Sequence, residues 1–133
     1  MLFDHNEPGR LLFSEAELRC KLTHKIELDP RFATMLVTLR LAFDESMTPT
    51  SCCRSAAHNQ AEGGHPRSLH VYDLPWHEVK GTCAIDIRSK NTAYARRLVA
   101  VALGLGWSVG VNKRFIHLDR RDLAGLEPGL FGY

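Results

Sequence analysis

The chain of 133 residues is 44% hydrophobic and 24% charged, which is typical of one soluble globular domain, and residues 1–133 are predicted to form a single domain. A formal net charge of +2, with basic residues scattered along the sequence, argues against nucleic acid as a partner. Apolar stretches stay well short of the roughly 20 residues that a membrane-spanning helix needs, so no membrane contact is expected.

The N-terminus lacks the basic start and apolar run of a signal peptide, which predicts a protein that is cytoplasmic as synthesised. In that compartment the four cysteines are expected to be reduced thiols. Their positions do not give the C-x-x-C spacing of a zinc ribbon.

The first half of the sequence predicts helices. The capping box S-E-A-E, which begins at Ser14, opens a short helix that ends near residue 20 or 21. Asp29 is a stronger start signal, because Pro30 follows it at the first helical position. The helix predicted over residues 30–43 carries an apolar stripe that we assign to the core: Phe32, Met35, Leu36, Leu39 and Phe43.

The middle of the sequence changes from helical to extended patterns. A short capped helix is predicted over residues 55–62, where two glycines then stop it. Alternation predicts strands over residues 68–72 and 83–87. The proline-containing stretch between them, residues 73–80, is predicted to leave the sheet.

A long helix and a hairpin follow. The helix begins near residue 89 or 91 and carries the stripe Tyr94, Leu98, Val101, Ala102 and Leu105. Residues 107–111 and 115–119 predict two strands of a hairpin, and residues 123–133 predict a packed irregular end. The fold class is therefore α+β, with N-terminal helices packed on a small, mostly antiparallel sheet.

Strand alternation separates candidate site residues from the core. In F-I-H-L-D the isoleucine and leucine share one face, while His117 and Asp119 share the other. Asp86 and His70 alternate with aliphatic neighbours in the same way. Periodicity does not link these residues into one site, and a histidine beside aliphatic residues is more often a partly buried structural residue.

The order S-x-H, A-x-D-I and F-I-H-x-D resembles the zinc D-alanyl-D-alanine carboxypeptidases of the LAS metallopeptidase family. Their relatives include cell-wall endopeptidases and phage endolysins, and the hedgehog signalling domain shares the fold. The segment T-S-C-C-R-S, followed by His58 and Asn59, resembles the S-G-Y-R-S…N segment of that family. Two glycines then precede S-x-H as the family pattern requires, and the likeness runs from about residue 13 to residue 120.

The resemblance implies one zinc ion per chain, bound by His70, Asp86 and His117, with a fourth position open for water. It also implies that Arg54 receives a substrate carboxylate and that Ser68 forms hydrogen bonds with substrate or near a ligand. A structural salt bridge is the alternative for Arg54.

The implied activity is hydrolysis of a D-amino-acid-containing bond in a peptidoglycan stem peptide, by a protein expected to be monomeric. The missing signal peptide suits a phage enzyme released to the cell wall during lysis and a cytoplasmic resident equally.

The sequence departs from the family pattern between the first two ligands. Asp86 lies sixteen residues after His70, whereas the family places its aspartate closer. The additional residues, roughly 72–80, predict a lid or a wall of the substrate groove. Asp73 in this loop is the alternative ligand to Asp86, and His77 is a second candidate to bind metal or substrate.

A second departure concerns the general base. Several relatives carry an acidic residue three positions before the last histidine, where this chain has Arg114. Asp119 is therefore predicted to be the catalytic base, with Glu78 or His77 as alternatives. Asp119 could instead orient a ligand or the substrate-binding arginine. The missing acid also leaves open a non-catalytic cell-wall- or protein-binding module that retains the fold.

Overall fold

Three short strands and three helices form the first half of the computed structural model, which describes residues 1–73 and 78–133. Their bounds are β1 (Leu2–Phe3), β2 (Leu11–Phe13), α1 (Glu15–Leu18), α2 (Pro30–Phe43), β3 (Pro49–Ser51) and α3 (Ala56–Ala61). The capping box at Ser14 begins α1 as predicted, and the Asp29 side chain caps α2. α1 ends before the predicted residue 20, because Arg19 already has extended backbone angles.

The second half supplies most of the main sheet. Its elements are β4 (Ala84–Arg88), α4 (Thr92–Gly104), β5 (Ser108–Val111), β6 (Phe115–Asp119), a 3₁₀ turn (Arg121–Ala124) and β7 (Leu130–Gly132). Within the described residues the strand order is β3-β4-β6-β5-β7, with β7 parallel to β5 and the other neighbours antiparallel. The predicted α+β class is confirmed.

The register of the sheet separates its two faces. Asp86 on β4 lies opposite His117 on β6, and Gly110 on β5 lies opposite His117 on the other side. Alternation therefore turns these three residues to one face. The other face carries fully buried aliphatic side chains: Ile85, Ile87, Val109, Ile116 and Leu118.

The aliphatic face packs into one core with the helices. The Phe32 ring of α2 lies 5.7 Å from that of Trp107, and the Phe43 ring lies 5.1 Å from that of Tyr94, both edge to face. Leu105 departs from the predicted stripe, because it ends α4 and is 40% exposed. The four cysteines are buried free thiols in this core. Among the described helices, none has the length and apolar character to cross a membrane.

The predictions for two segments, residues 68–72 and the tail, are wrong. Residues 68–72 do not form a strand beyond one isolated bridge between Arg54 and Val71. Ser68 explains this, because its hydroxyl accepts from the His70 N–H at 3.2 Å and its carbonyl from the Val71 N–H, which closes a turn. The tail is not irregular either, since it contains the 3₁₀ turn and β7.

Candidate metal centre

Three predicted ligands converge on the site face of the sheet. The ladder between β4 and β6 brings His117 Nδ1 within 2.8 Å of Asp86 Oδ1. His70 reaches the same oxygen from outside the ladder, with its Nε2 at 3.2 Å. The ligand atoms of all three residues lie within 4.8 Å of one another, and all three side chains are buried.

The turn that carries His70 is held by hydrogen bonds to neighbouring segments. His70 Nδ1 lies 2.7 Å from the Cys52 carbonyl oxygen. Because a carbonyl oxygen only accepts, Nδ1 carries the proton and Nε2 presents a lone pair to Asp86. The His70 carbonyl oxygen in turn accepts from the Arg54 N–H at 2.9 Å and the Thr82 hydroxyl at 2.8 Å.

The second nitrogen of His117 is also occupied. Its Nε2 lies 2.8 Å from Asp119 Oδ2. Asp119 is buried, and the Arg121 guanidinium donates to both of its oxygens, with Nε at 3.0 Å from Oδ1 and Nη2 at 2.8 Å from Oδ2. A carboxylate on the far nitrogen of a histidine is the usual arrangement around a metal ligand, because it fixes the ring orientation.

Burial and hydrogen bonding shift the pKa values of these groups in different directions. Burial lowers the pKa of His117, but hydrogen bonds with Asp119 and Asp86 outweigh it and raise the pKa to about 9. Burial acts to raise the pKa of Asp86, yet the two histidines hold it well below its usual range. Burial lowers the pKa of His70. The raised pKa favours the protonated form of His117 when no metal is bound.

The donor set fits a divalent metal ion. Two imidazole lone pairs and a carboxylate oxygen that face one another repel unless a proton or a cation lies between them. Ligand atoms around a tetrahedral zinc ion lie roughly 3.3 Å apart. The 3.2 Å between His70 Nε2 and Asp86 Oδ1 matches this spacing, whereas the 2.8 Å between His117 Nδ1 and Asp86 Oδ1 is a shorter hydrogen-bond distance. Three mixed nitrogen and oxygen donors also leave a fourth position for water or substrate, as in catalytic sites.

The predicted substrate-binding residues line a cleft of about 550 Å³ beside this cluster. Arg54 donates through Nε to the Ser51 hydroxyl at 2.8 Å, through Nη1 to the side-chain oxygen Oδ1 of Asn59 at 3.2 Å, and through Nη2 to Asp86 Oδ2 at 3.3 Å. Arg54 thus orients a ligand carboxylate in this arrangement. Ser68 lines the cleft and holds the His70 backbone, and the substrate roles of both residues stay predictions.

The loop candidates that the structure describes, Asp73 and Glu78, make contacts other than those predicted for them. Asp73 accepts from the Ala56 N–H at 2.8 Å, at the start of α3, so the structure brings Asp86 and not Asp73 to the histidines. The backbone carbonyl of Glu78 accepts from Arg31. His77 lies outside the described residues. The proposed role of residues 72–80 as a lid or wall stays a prediction.

Sequence reasoning missed Arg121 and two aromatic residues of the tail. Arg121 is not among the site residues predicted from the sequence, although its position two residues after Asp119 on the site face indicates a chelating ion pair. Phe131 and Tyr133 reach the site through β7, and the G-L-F-G-Y tail gives no alternation from which that pairing could be read.

An α+β domain with a buried His-Asp-His cluster at an open cleft defines a candidate metal-dependent enzyme. The sequence model described as Peptidase M15 matches residues 11–119, and the chain belongs to the peptidase M15 family of metallopeptidases. The match spans β2 to β6 and contains the three candidate ligands, whereas residues 120–133 lie beyond it. No curated protein and no solved structure matches the chain. The family assignment made from the motifs is thereby confirmed at the level of a metal-dependent peptidase.

Proposed function

We propose that this chain is a zinc peptidase that hydrolyses a D-amino-acid-containing bond in peptidoglycan. The observation that carries the proposal is the buried cluster of His70, Asp86 and His117 inside a family match that covers most of the chain. When bound, zinc supplies Lewis acidity that activates water and polarises the peptide carbonyl.

The surrounding residues prepare the cluster for one ion. The Cys52 carbonyl oxygen and Asp119 fix the outer nitrogens of the two histidines, which leaves their inner nitrogens free to bind metal. Arg54 and Arg121 neutralise the two buried aspartates, so the carboxylates stay charged in a desolvated site.

The charge of the cleft favours an anionic peptide. Three arginines line it, Arg54, Arg67 and Arg121, against two aspartates. Arg54 and Arg121 pair with these aspartates, so the excess positive charge is one arginine, to which a divalent ion would add. Guanidinium groups bind carboxylates through paired hydrogen bonds, and a peptidoglycan stem peptide carries several carboxylates. We therefore take the stem peptide as the partner, cleaved at its terminal D-Ala or at an internal bond.

One observation favours a second candidate function. In the described part of the chain, the carboxylates that line the cleft belong to Asp86 and Asp119, and both are held by arginine and histidine. Asp119 could act as the general base only after one of these contacts opens. A metal-containing module that binds cell wall or protein without cleaving it is therefore the alternative.

Digestion of purified peptidoglycan, with mass analysis of the released fragments, tests the proposal. We expect about one zinc ion per chain and fragments that disappear with a chelator and in His117→Ala. The matched control His5→Ala changes an exposed histidine outside the cleft and should retain activity. Wall binding without fragments would support the binding module, and failure to take up zinc would contradict the peptidase.

A further inference from the structure

The tail beyond the family match returns to the metal centre. Strand β7 pairs with β5 so that Phe131 lies opposite Gly110, which is itself opposite His117. A Cβ atom on Gly110 would overlap the Phe131 ring and lie 3.0 Å from the Tyr133 ring. Glycine at this position therefore admits both rings to the face of the sheet that carries the site.

The rings of Phe115, Phe131 and Tyr133 form a continuous surface, which we call the aromatic wall. The Phe131 centroid lies 5.9 Å from that of His117 and 5.7 Å from that of Tyr133. The Tyr133 centroid lies 5.5 Å from that of Phe115. The wall thus begins at a candidate metal ligand and extends outward along the cleft.

The members of the wall differ in what they contact. The Arg121 guanidinium lies 5.1 Å above the Phe131 ring, which is half-buried between that group and His117. Phe115 and Tyr133 line the cleft, and Tyr133 is 69% exposed. Phe131 is therefore the support of the wall, and Phe115 and Tyr133 offer apolar surface to a bound molecule.

We propose that the aromatic wall is a specificity subsite, which packs against the apolar part of the substrate residue held in the cleft beside the metal centre. This inference rests on the proposed peptidase function. Phe115 and Tyr133 line the same cleft as the three candidate ligands. Their ring surface is suited to a substrate residue held in that cleft, because its burial is favourable only when a ligand covers it.

Hydroxamates test the subsite without requiring hydrolysis. A hydroxamate binds zinc through its two oxygens, so the attached group is held beside the metal. We expect zinc-loaded protein to bind benzohydroxamate about ten-fold more tightly than acetohydroxamate. In Tyr133→Ala this preference should fall to about two-fold, because the covered ring is lost, whereas Tyr133→Phe keeps the ring and should keep the preference.

Two further variants separate the wall from general effects. Gly110→Ala should lower the preference by displacing Phe131 and Tyr133, although Gly110 is not a lining residue of the cleft. Phe3→Ala removes a 44% exposed ring outside the cleft lining and should leave the preference unchanged. Zinc content is measured for each variant.

The outcomes distinguish the subsite from the function on which it rests. An unchanged preference in zinc-loaded Tyr133→Ala overturns the subsite and leaves the proposed peptidase standing. Failure of the wild-type protein to take up zinc overturns the proposed function, and the subsite with it.

Discussion

The candidate metal ligands are held in two different ways. Asp86 and His117 lie opposite each other in an antiparallel ladder that runs from Ala84 to Arg88 on β4 and from Phe115 to Asp119 on β6. His70 lies in a turn whose only sheet-like contact in the described residues is the single bridge between Arg54 and Val71. The ladder holds its ligands with many main-chain hydrogen bonds, whereas the turn depends on a few polar contacts.

This difference bears on how the site tolerates change. Main-chain bonds of a ladder survive most side-chain substitutions, so the positions of Asp86 and His117 should be insensitive to changes on the aliphatic face. The position of His70 depends on a few main-chain bonds, such as that from the Arg54 N–H, on the Cys52 carbonyl oxygen, and on the side chains of Ser68 and Thr82. Single substitutions of polar residues in this turn should therefore lower the affinity for metal.

The ladder and the turn are the two supports of the metal site, and the largest effect is expected where they meet, at Asp86. Its carboxylate contacts both histidines and Arg54, so Asp86→Asn removes the charged ligand and leaves Arg54 without its buried partner. Zinc affinity should fall by more than about 100-fold, or ~3 kcal/mol, in titrations with a competing chelator. Asp73→Asn is the matched control and should bind zinc normally; the reverse result would make Asp73 the ligand.

The ladder side is tested at the outer partners of His117. Asp119→Asn should lower zinc affinity by about 10- to 100-fold, and Arg121→Ala should have a smaller effect in the same direction. Chelator titration and peptide hydrolysis are measured on the same samples. Normal zinc affinity with lost hydrolysis in Asp119→Asn would instead favour the general-base role predicted from the sequence.

The two supports also differ in how well the sequence predicts them. The ladder follows from alternation in A-I-D-I and F-I-H-L-D, since these side chains must divide between a core and a polar face. The turn shows the same alternation, yet the Ser68 hydroxyl bonds the His70 N–H and prevents a strand. Local pattern cannot decide between the two, because the competing hydrogen bond depends on side-chain geometry.

Long-range contacts account for the remaining differences. The helices were predicted from their caps, which act within a few residues, as at Ser14 and Asp29. Strand β7 depends on pairing with β5 and on the space above Gly110, and neither can be read from the tail alone. The clamp of Arg121 on Asp119 is a local contact between residues two positions apart, and it forms because the chain turns after β6.

Protonation of Asp29 in acid should weaken the contacts between the start of α2 and the segment that lies behind the turn. The Asp29 side chain accepts from Arg31 and from the Lys80 N–H, and its own N–H donates to the Thr82 carbonyl oxygen. Burial acts to raise the pKa of Asp29, but these donors lower it to about 2, from an ordinary value of 3.8. The charged group therefore stabilises the fold above pH 3.8, and this contribution is lost as the pH falls towards 2.

Urea unfolding of Asp29→Asn measures that contribution. At neutral pH the variant should be less stable than the wild type by about 2 kcal/mol, and the difference should shrink between pH 3.8 and pH 2. Asp44→Asn, at an exposed position, should differ little from the wild type throughout. A difference for Asp29→Asn that is independent of pH would contradict a role for its charge.

The smallest effect compares the two supports directly, with two substitutions of similar cost to stability. Thr82→Val keeps the shape of a buried side chain but removes the hydroxyl that donates to the His70 carbonyl oxygen, at a cost of about 1 kcal/mol. Ile87→Val removes one methylene from the aliphatic face of β4, at about 0.5–1.5 kcal/mol. Zinc affinity should fall several-fold in Thr82→Val only, because the turn has lost one of its few contacts while the ladder is intact. Equal losses of affinity in both variants would show that metal binding follows overall stability, and the distinction between ladder and turn would then fail.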